Sequence, residues 1–369
     1  MHITALGFLT VLTAESRQQY HFLTTSTFRG ADMRKGVTLQ RCLLGMCMLL
    51  FGLSIFVFVG NFVSNVESDE NRYEDMFRGF EEGKCKSCHP AIWREWEKSM
   101  HAQAWVDEIY QDAAKLIPDR EKSCDPCHAP EPIFVTGIGK MPKLRNTQRD
   151  SGVSCLVCHL DKDGAMHGPP ASAETNFHAN VTNPIYESPT KLCATCHGQP
   201  KVPEHDQVSS FLESRFAKEK KSCATCHMPI VNRLQSTASY ESIKGRKHTW
   251  RGSRSVAQLK NAASLKVEFV GKKASVILEN KAGHLLPGGT LRMIVLEVTR
   301  LAPDGTQLEE KQELISEKTE NRLLPDEKRT YTYDVDTGQT LKVELKYQLT
   351  PKTPESEWVL MEEVNSIVP

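Results

Sequence analysis

The chain has 369 residues, and its 46 Lys and Arg are matched by 46 Asp and Glu, so the formal charge is zero. That balance lacks the basic excess on which nucleic-acid binding draws. The chain also carries 12 cysteines and 13 histidines, and their placement along the chain decides the reading that follows.

Residues 1–41 read as a cytoplasmic N-terminal segment. Its first 32 residues carry no clear pattern, and Met33 followed by Arg34-Lys35 reads as an alternative start. Residues 42–64 then form a transmembrane anchor or uncleaved signal, because 22 residues from Cys42 to Val63 pass without a charge. As a helix that run would reach about 33 Å, enough to cross a bilayer core. Arg34, Lys35 and Arg41 precede it and Glu67, Asp69 and Glu70 follow it. The positive-inside rule then leaves the rest of the chain outside the cytoplasm. The expected location is a bacterial inner membrane, crossed once, with the remainder in the periplasm. A cleaved signal peptide is the rival, but its apolar stretch is normally shorter and ends in a small-x-small site.

Residues 65–254 repeat one five-residue phrase. Cys85-Lys-Ser-Cys88-His89 is followed by Cys124-Asp-Pro-Cys127-His128, Cys155-Leu-Val-Cys158-His159, Cys193-Ala-Thr-Cys196-His197 and Cys223-Ala-Thr-Cys226-His227. C-x-x-C-H is the attachment signature of c-type haem: two thioethers hold the macrocycle and the adjacent histidine meets the iron. At this composition roughly 0.01 copies are expected by chance, so five copies are not accidental. A structural zinc site or a disulfide framework also uses paired cysteines, but neither gives the repeated histidine a role. Five covalently bound haems in about 180 residues would fill much of the interior in place of an ordinary side-chain core.

The stretch after the first phrase, His89-Pro-Ala-Ile-Trp93-Arg-Glu-Trp96-Glu-Lys-Ser99-Met100-His101-Ala102, resembles the cytochrome c-554 family of multihaem cytochromes. The resemblance weakens along the other phrases to about residue 254, and it implies that His101 is a distal haem ligand. Trp93, Trp96 and His101 also stand at helical spacing. Similar proteins place distal histidines shortly after the third phrase, where Met166-His167-Gly168-Pro169 stands, and after the last, where Lys247-His248-Thr249-Trp250-Arg251-Gly252 stands. His178 and His205 are further candidates. Five irons need five distal ligands, and six histidines remain outside the phrases and the first 32 residues, including His284. Bis-histidine ligation is therefore the economical reading, with Met100, Met141 or Met166 as substitutes at one site. Without a methionine ligand the haems would sit at low potential.

From residue 255 to 369 the pattern changes to alternation. Leu265-Val267-Phe269 and Ala274-Val276-Leu278 flank Gly271-Lys272 and predict a hairpin. Further runs at 291–299, 308–315, 330–335 and 341–349 are separated by Pro303-Asp304-Gly305 and Asp336-Thr337-Gly338. About seven short strands predict an immunoglobulin-like sandwich. Lys281-Ala-Gly283-His284-Leu-Leu-Pro287-Gly288-Gly289 resembles a loop of β domains appended to multihaem cytochromes, which makes His284 a ligand reaching back to the last haems.

The fold class expected is a mostly α, irregular multihaem cytochrome c domain, a C-terminal all-β immunoglobulin-like sandwich and one N-terminal transmembrane helix. The expected function is electron relay between a membrane or periplasmic donor and an acceptor protein, with redox proteins or the quinol pool as partners. An enzyme with one five-coordinate haem, acting on a small nitrogen oxide or hydroxylamine-like substrate, is the alternative, as is a quinol dehydrogenase. No C-x-x-C-K phrase occurs, which argues against an ammonia-forming nitrite reductase.

Overall fold

The computed structural model describes residues 72–170, 177–200 and 206–369. The N-terminal segment, the expected membrane span at 42–64 and His205 lie outside the described residues. Among the described residues no helix is long and apolar enough to cross a membrane.

Short helices dominate up to residue 260. Each phrase occupies one: Lys84–Cys88 with His89 as its C-cap, Asp125–His128 with Cys124 as its N-cap, Cys155–His159, Thr190–His197 and Cys223–His227. The helical form follows from the spacing, since residues three apart share a helix face and both sulfurs must meet one macrocycle. Ser222 caps the last of these, and its N–H donates to Thr225 Oγ1 at 3.1 Å, a reciprocal capping box. The helix Pro90–Trp96 is shorter than the spacing of Trp93, Trp96 and His101 predicts. The chain leaves the helix at Glu97, and buried Ser99 takes the Ala102 N–H on its hydroxyl at 3.3 Å. That local bond competes with the helical pattern. Trp96 packs with Met76, Phe77, Phe80 and Leu156 in a small apolar cluster.

Four short strands interrupt the helices. β1 (Met166–Gly168) and β2 (Asn180–Thr182) pair in parallel, and β3 (Ile230–Arg233) and β4 (Ile243–Arg246) pair antiparallel. β4 delivers the chain to His248.

The change to strands comes at Ala263. β5 (Ala263–Val270), β6 (Lys273–Asn280) and β9 (Lys328–Asp334) form one sheet in the order β5-β6-β9. β7 (Met293–Leu301), β8 (Gln307–Ser316), β10 (Thr340–Gln348) and β11 (Val359–Ile367) form the other in the order β11-β10-β7-β8. The predicted hairpin closes with Val270 opposite Lys273 and Gly271 at φ 56°, a left-handed position that glycine takes without strain. Inward residues of both sheets, among them Val276, Leu278, Leu296, Val343 and Leu345, merge into one cluster, and Leu259 of the helix Val256–Lys260 joins it. Each such side chain contributes about 1.5–3 kcal/mol on burial. The β region therefore has a side-chain core of its own, and among the described residues of the helical region the apolar cluster is the small one around Trp96.

Candidate haem sites

One continuous cavity of about 2090 Å³ runs through the helical region and reaches the β region. A drug-sized ligand pocket is about 300–1,000 Å³, so this space suits several large groups. All ten phrase cysteines and all five phrase histidines line it. The thiols of Cys127 and Cys196 touch, as do those of Cys193 and Cys223, which sets the fourth phrase between the second and the fifth.

Four of the five phrase histidines are oriented from behind by backbone carbonyls. His89 donates from Nδ1 to the Gln235 carbonyl at 2.8 Å, and His128 to that of Ala104 at 2.6 Å. His159 donates to the His167 carbonyl at 2.6 Å, and His227 to that of Arg251 at 2.5 Å. A carbonyl accepts only, so the proton is fixed on Nδ1 and the Nε2 lone pair is left for a metal, the usual support for a metal-ligating imidazole. Tyr186 stacks on His159 at 5.1 Å, and Tyr110 lies face to face with His128 at 3.5 Å. The Tyr110 hydroxyl donates to buried Asp125, which also accepts from Arg120 Nε at 2.9 Å.

A second imidazole faces four of these rings. His178 lies 6.4 Å from His89, His101 6.3 Å from His197, His248 6.3 Å from His159 and His284 6.2 Å from His227, measured between ring centroids. A metal–imidazole bond of about 2.0–2.1 Å puts two trans ring centroids about 6.2–6.5 Å apart, so each pair is spaced to hold one iron between its rings. Burial supports the fit. His101 Nδ1 and His178 Nδ1 are buried without a hydrogen-bond partner, an arrangement costing about 1–3 kcal/mol per atom unless something binds there. Burial, reinforced by neighbouring His197, holds His101 down to about 3, and burial with His159 holds His248 down to about 3. His284 is lowered as well, chiefly by burial. Neutral imidazole is the form that ligates metal.

The remaining sequence candidates are placed differently. His167 lines the cavity, but Nε2 is 2.8 Å from Asp161 Oδ2, Nδ1 is 3.0 Å from Asn183 Nδ2, and the ring stacks on Phe134 at 4.3 Å. Both nitrogens are engaged, so the structure does not bring His167 opposite a phrase histidine. It gives His159 its orienting carbonyl instead. Met100 and Met166 line the cavity, half-buried Met141 is not among the lining residues, and His205 is outside the described residues.

Sequence reasoning missed the residues that hold the facing histidines. Asn280 is fully buried at the end of β6, and its amide donates to the carbonyls of His284 at 2.9 Å, Leu323 at 3.1 Å and Leu324 at 2.9 Å. Ser210 Oγ accepts the Leu285 N–H at 3.1 Å, tying the His284 loop to the helical region. Glu95 accepts the His248 N–H at 2.9 Å and pairs with Arg233 at 2.7 Å. The available signal was slight: a strand-end Asn four residues before a loop histidine, and a Glu between two tryptophans.

Ten cysteines in helical C-x-x-C-H phrases, with orienting carbonyls behind four of the phrase histidines and facing imidazoles in front of four, define a c-type cytochrome with several haems. Residues 84–160 match the family of cytochrome c554 and c-prime. A penta-heme cytochrome c552 from Thermochromatium tepidum has a similar fold, with a TM-score of 0.58 and 18% identity over 77% of this chain and 97% of that one. Bacteroides uniformis β-glucuronidase 2 aligns over 28% of this chain and 12% of its own at 15% identity, with a TM-score of 0.17, too low to carry an argument. None of the curated proteins matches. The chain is a multihaem c-type cytochrome that resembles the cytochrome c554 family, and electron transfer is its function in general terms.

Proposed function

We propose that the chain is a membrane-anchored relay of five bis-histidine haems. The observation that carries this reading is the set of four facing imidazole pairs at 6.2–6.4 Å. Haem, when bound, supplies the one-electron chemistry. The chain's own residues would do the rest: the phrase cysteines would fix each group, backbone carbonyls orient four of the five phrase imidazoles, and the buried facing imidazoles would stay neutral. With His167 engaged by Asp161 and Asn183, His205 is the histidine left to complete the second phrase's site. Bis-histidine ligation, lacking methionine, keeps the potentials low.

The span at 42–63 with Arg34, Lys35 and Arg41 before it supports a single-pass anchor and a periplasmic haem region. An anchored relay accepts electrons from a membrane donor such as the quinol pool and passes them to a soluble protein. For the C-terminal region we favour the immunoglobulin-like reading. Seven strands split into β5-β6-β9 and β11-β10-β7-β8, a two-sheet antiparallel order compatible with that class.

EPR and optical spectra of the purified ferric protein test the ligation. Five low-spin haems are expected. A high-spin haem that binds carbon monoxide or nitric oxide would overturn full bis-histidine ligation and favour the haem-enzyme alternative. Alkaline extraction and protease protection of spheroplasts test the anchor, which fails if the protein is released as soluble.

A further inference from the structure

One short stretch touches histidines of three of the facing pairs. His248 faces His159 of the third. The Trp250 ring packs edge-on against His248 at 5.2 Å and against His101 at 4.5 Å, and His101 faces His197 of the fourth. The Arg251 carbonyl accepts the Nδ1–H of His227, of the fifth, at 2.5 Å.

Trp250 is also held in an unfavourable backbone state. Its φ is 39°, a region that bulky L-residues rarely enter and keep only where the surroundings over-determine it. Those surroundings are visible: Glu95 grips the His248 N–H, and the Trp250 ring packs against the cluster containing Trp96 and Leu156.

The imidazole pairs differ in a way that follows the Trp250 contacts. The two pairs it touches are twisted, with ring planes 44° apart for His101 and His197 and 36° apart for His159 and His248. The two it does not touch are nearer parallel, at 24° for His89 and His178 and 19° for His227 and His284. No hydrogen bond holds His101 Nδ1, so packing sets that ring's plane, whereas His248 Nδ1 also donates to the Arg246 carbonyl at 3.0 Å.

We propose that Trp250 is a positioning residue that sets the ring plane of the distal imidazole His101 and, together with the Arg246 carbonyl, that of His248, and that the stretch from His248 to Arg251 thereby ties together the ligand fields of the third, fourth and fifth haems. The inference rests on the bis-histidine reading. Outer contacts to a ligating imidazole tune the metal as well as the ring's orientation. The twist between two axial imidazoles governs the anisotropy of a low-spin ferric signal, larger twist giving a larger maximal g value.

The test compares haem-loaded full-length wild type with Trp250→Gly, which tolerates the positive φ but deletes the ring, and with Trp250→Phe, which keeps an aromatic edge. EPR spectra and redox titrations are recorded for all three. In Trp250→Gly, two low-spin signals are expected to move to smaller maximal g values with a change in two midpoint potentials, while Trp250→Phe stays close to wild type. The proposal is overturned if wild type shows the low-spin signals and Trp250→Gly keeps all of their g values and midpoints. It is equally overturned if neither variant assembles its haems, since the ring is then a folding element. If wild type itself lacks low-spin haem, the bis-histidine reading fails and takes the proposal with it.

Discussion

His284 and His167 are a contrasting pair of cavity histidines among the described residues. Both line the cavity, but His284 faces His227 at 6.2 Å, whereas both His167 nitrogens are occupied by Asp161 and Asn183. His284→Ala is therefore expected to turn one haem high-spin, and added imidazole is expected to restore the low-spin spectrum. His167→Ala should leave the number of low-spin haems unchanged; a new high-spin signal in that variant would make His167 a ligand after all. Glu95 acts at the same scale through His248. Its carboxylate pairs with Arg233 where the side chains are 19% and 15% exposed, and removing one partner of such a shielded pair costs about 3–5 kcal/mol. We expect Glu95→Ala to fall near the lower end because some solvent reaches the pair, and Glu95→Gln to lose less because it keeps an acceptor for the His248 N–H. Guanidinium denaturation of the haem-loaded variants measures the difference. Equal midpoints for Glu95→Ala and wild type would refute the coupling.

At the scale of elements, what could be read from the sequence depends on how local each constraint is. The phrases were legible because attachment chemistry is written into five contiguous residues. His101, His248 and His284 stand out through the short stretches around them, and the His284 loop reads as reaching back to the last haems, but the facing of His101 with His197 and of His248 with His159 is not written locally, since each joins segments far apart in the chain. The hairpin β5–β6 and the strands β7 to β10 followed from alternation and turn residues. The sequence does not mark the bounds of β11, which alternates weakly, carries Glu362 and Glu363, and is crossed by a register shift opposite Leu345 and Lys346. The β6–β7 connection shows where element and site meet. Gly283 stands where a Cβ would come within 3.1 Å of Phe211 and Phe216, so the loop approaches the helical region closely, and Asn280 pins its shape. Asn280→Ala removes the donors to three buried or half-buried carbonyls, a loss of about 1–3 kcal/mol. Thermal unfolding of the β region should fall accordingly, and part of the fifth haem should become high-spin as His284 loosens. A destabilised variant with an unchanged spectrum would mean that Asn280 serves the β fold alone.

Across the whole molecule the two regions are stabilised by different means, and removing haem should separate them. The described phrase helices run from four to eight residues, and isolated helices shorter than about 12–15 residues are marginal in water. The cavity of about 2090 Å³ lies where such a region would otherwise place its core. On the bis-histidine reading its order would depend on ligation, because each facing pair would clip together segments far apart in the chain, and binding free energy at sites of this kind is folding free energy. The β region instead buries a continuous cluster drawn from both sheets. A chain with all ten phrase cysteines changed to serine, made without haem attachment, is expected to keep slow amide exchange in β6, β7 and β10 while losing protection throughout the helical region. The His284 loop should lose protection as well, since it contacts Ser210, Phe211 and Phe216 of that region. Protection retained in the helices Cys155–His159 and Thr190–His197 would show that side-chain packing alone can hold the haem region, and the ligation argument would fail.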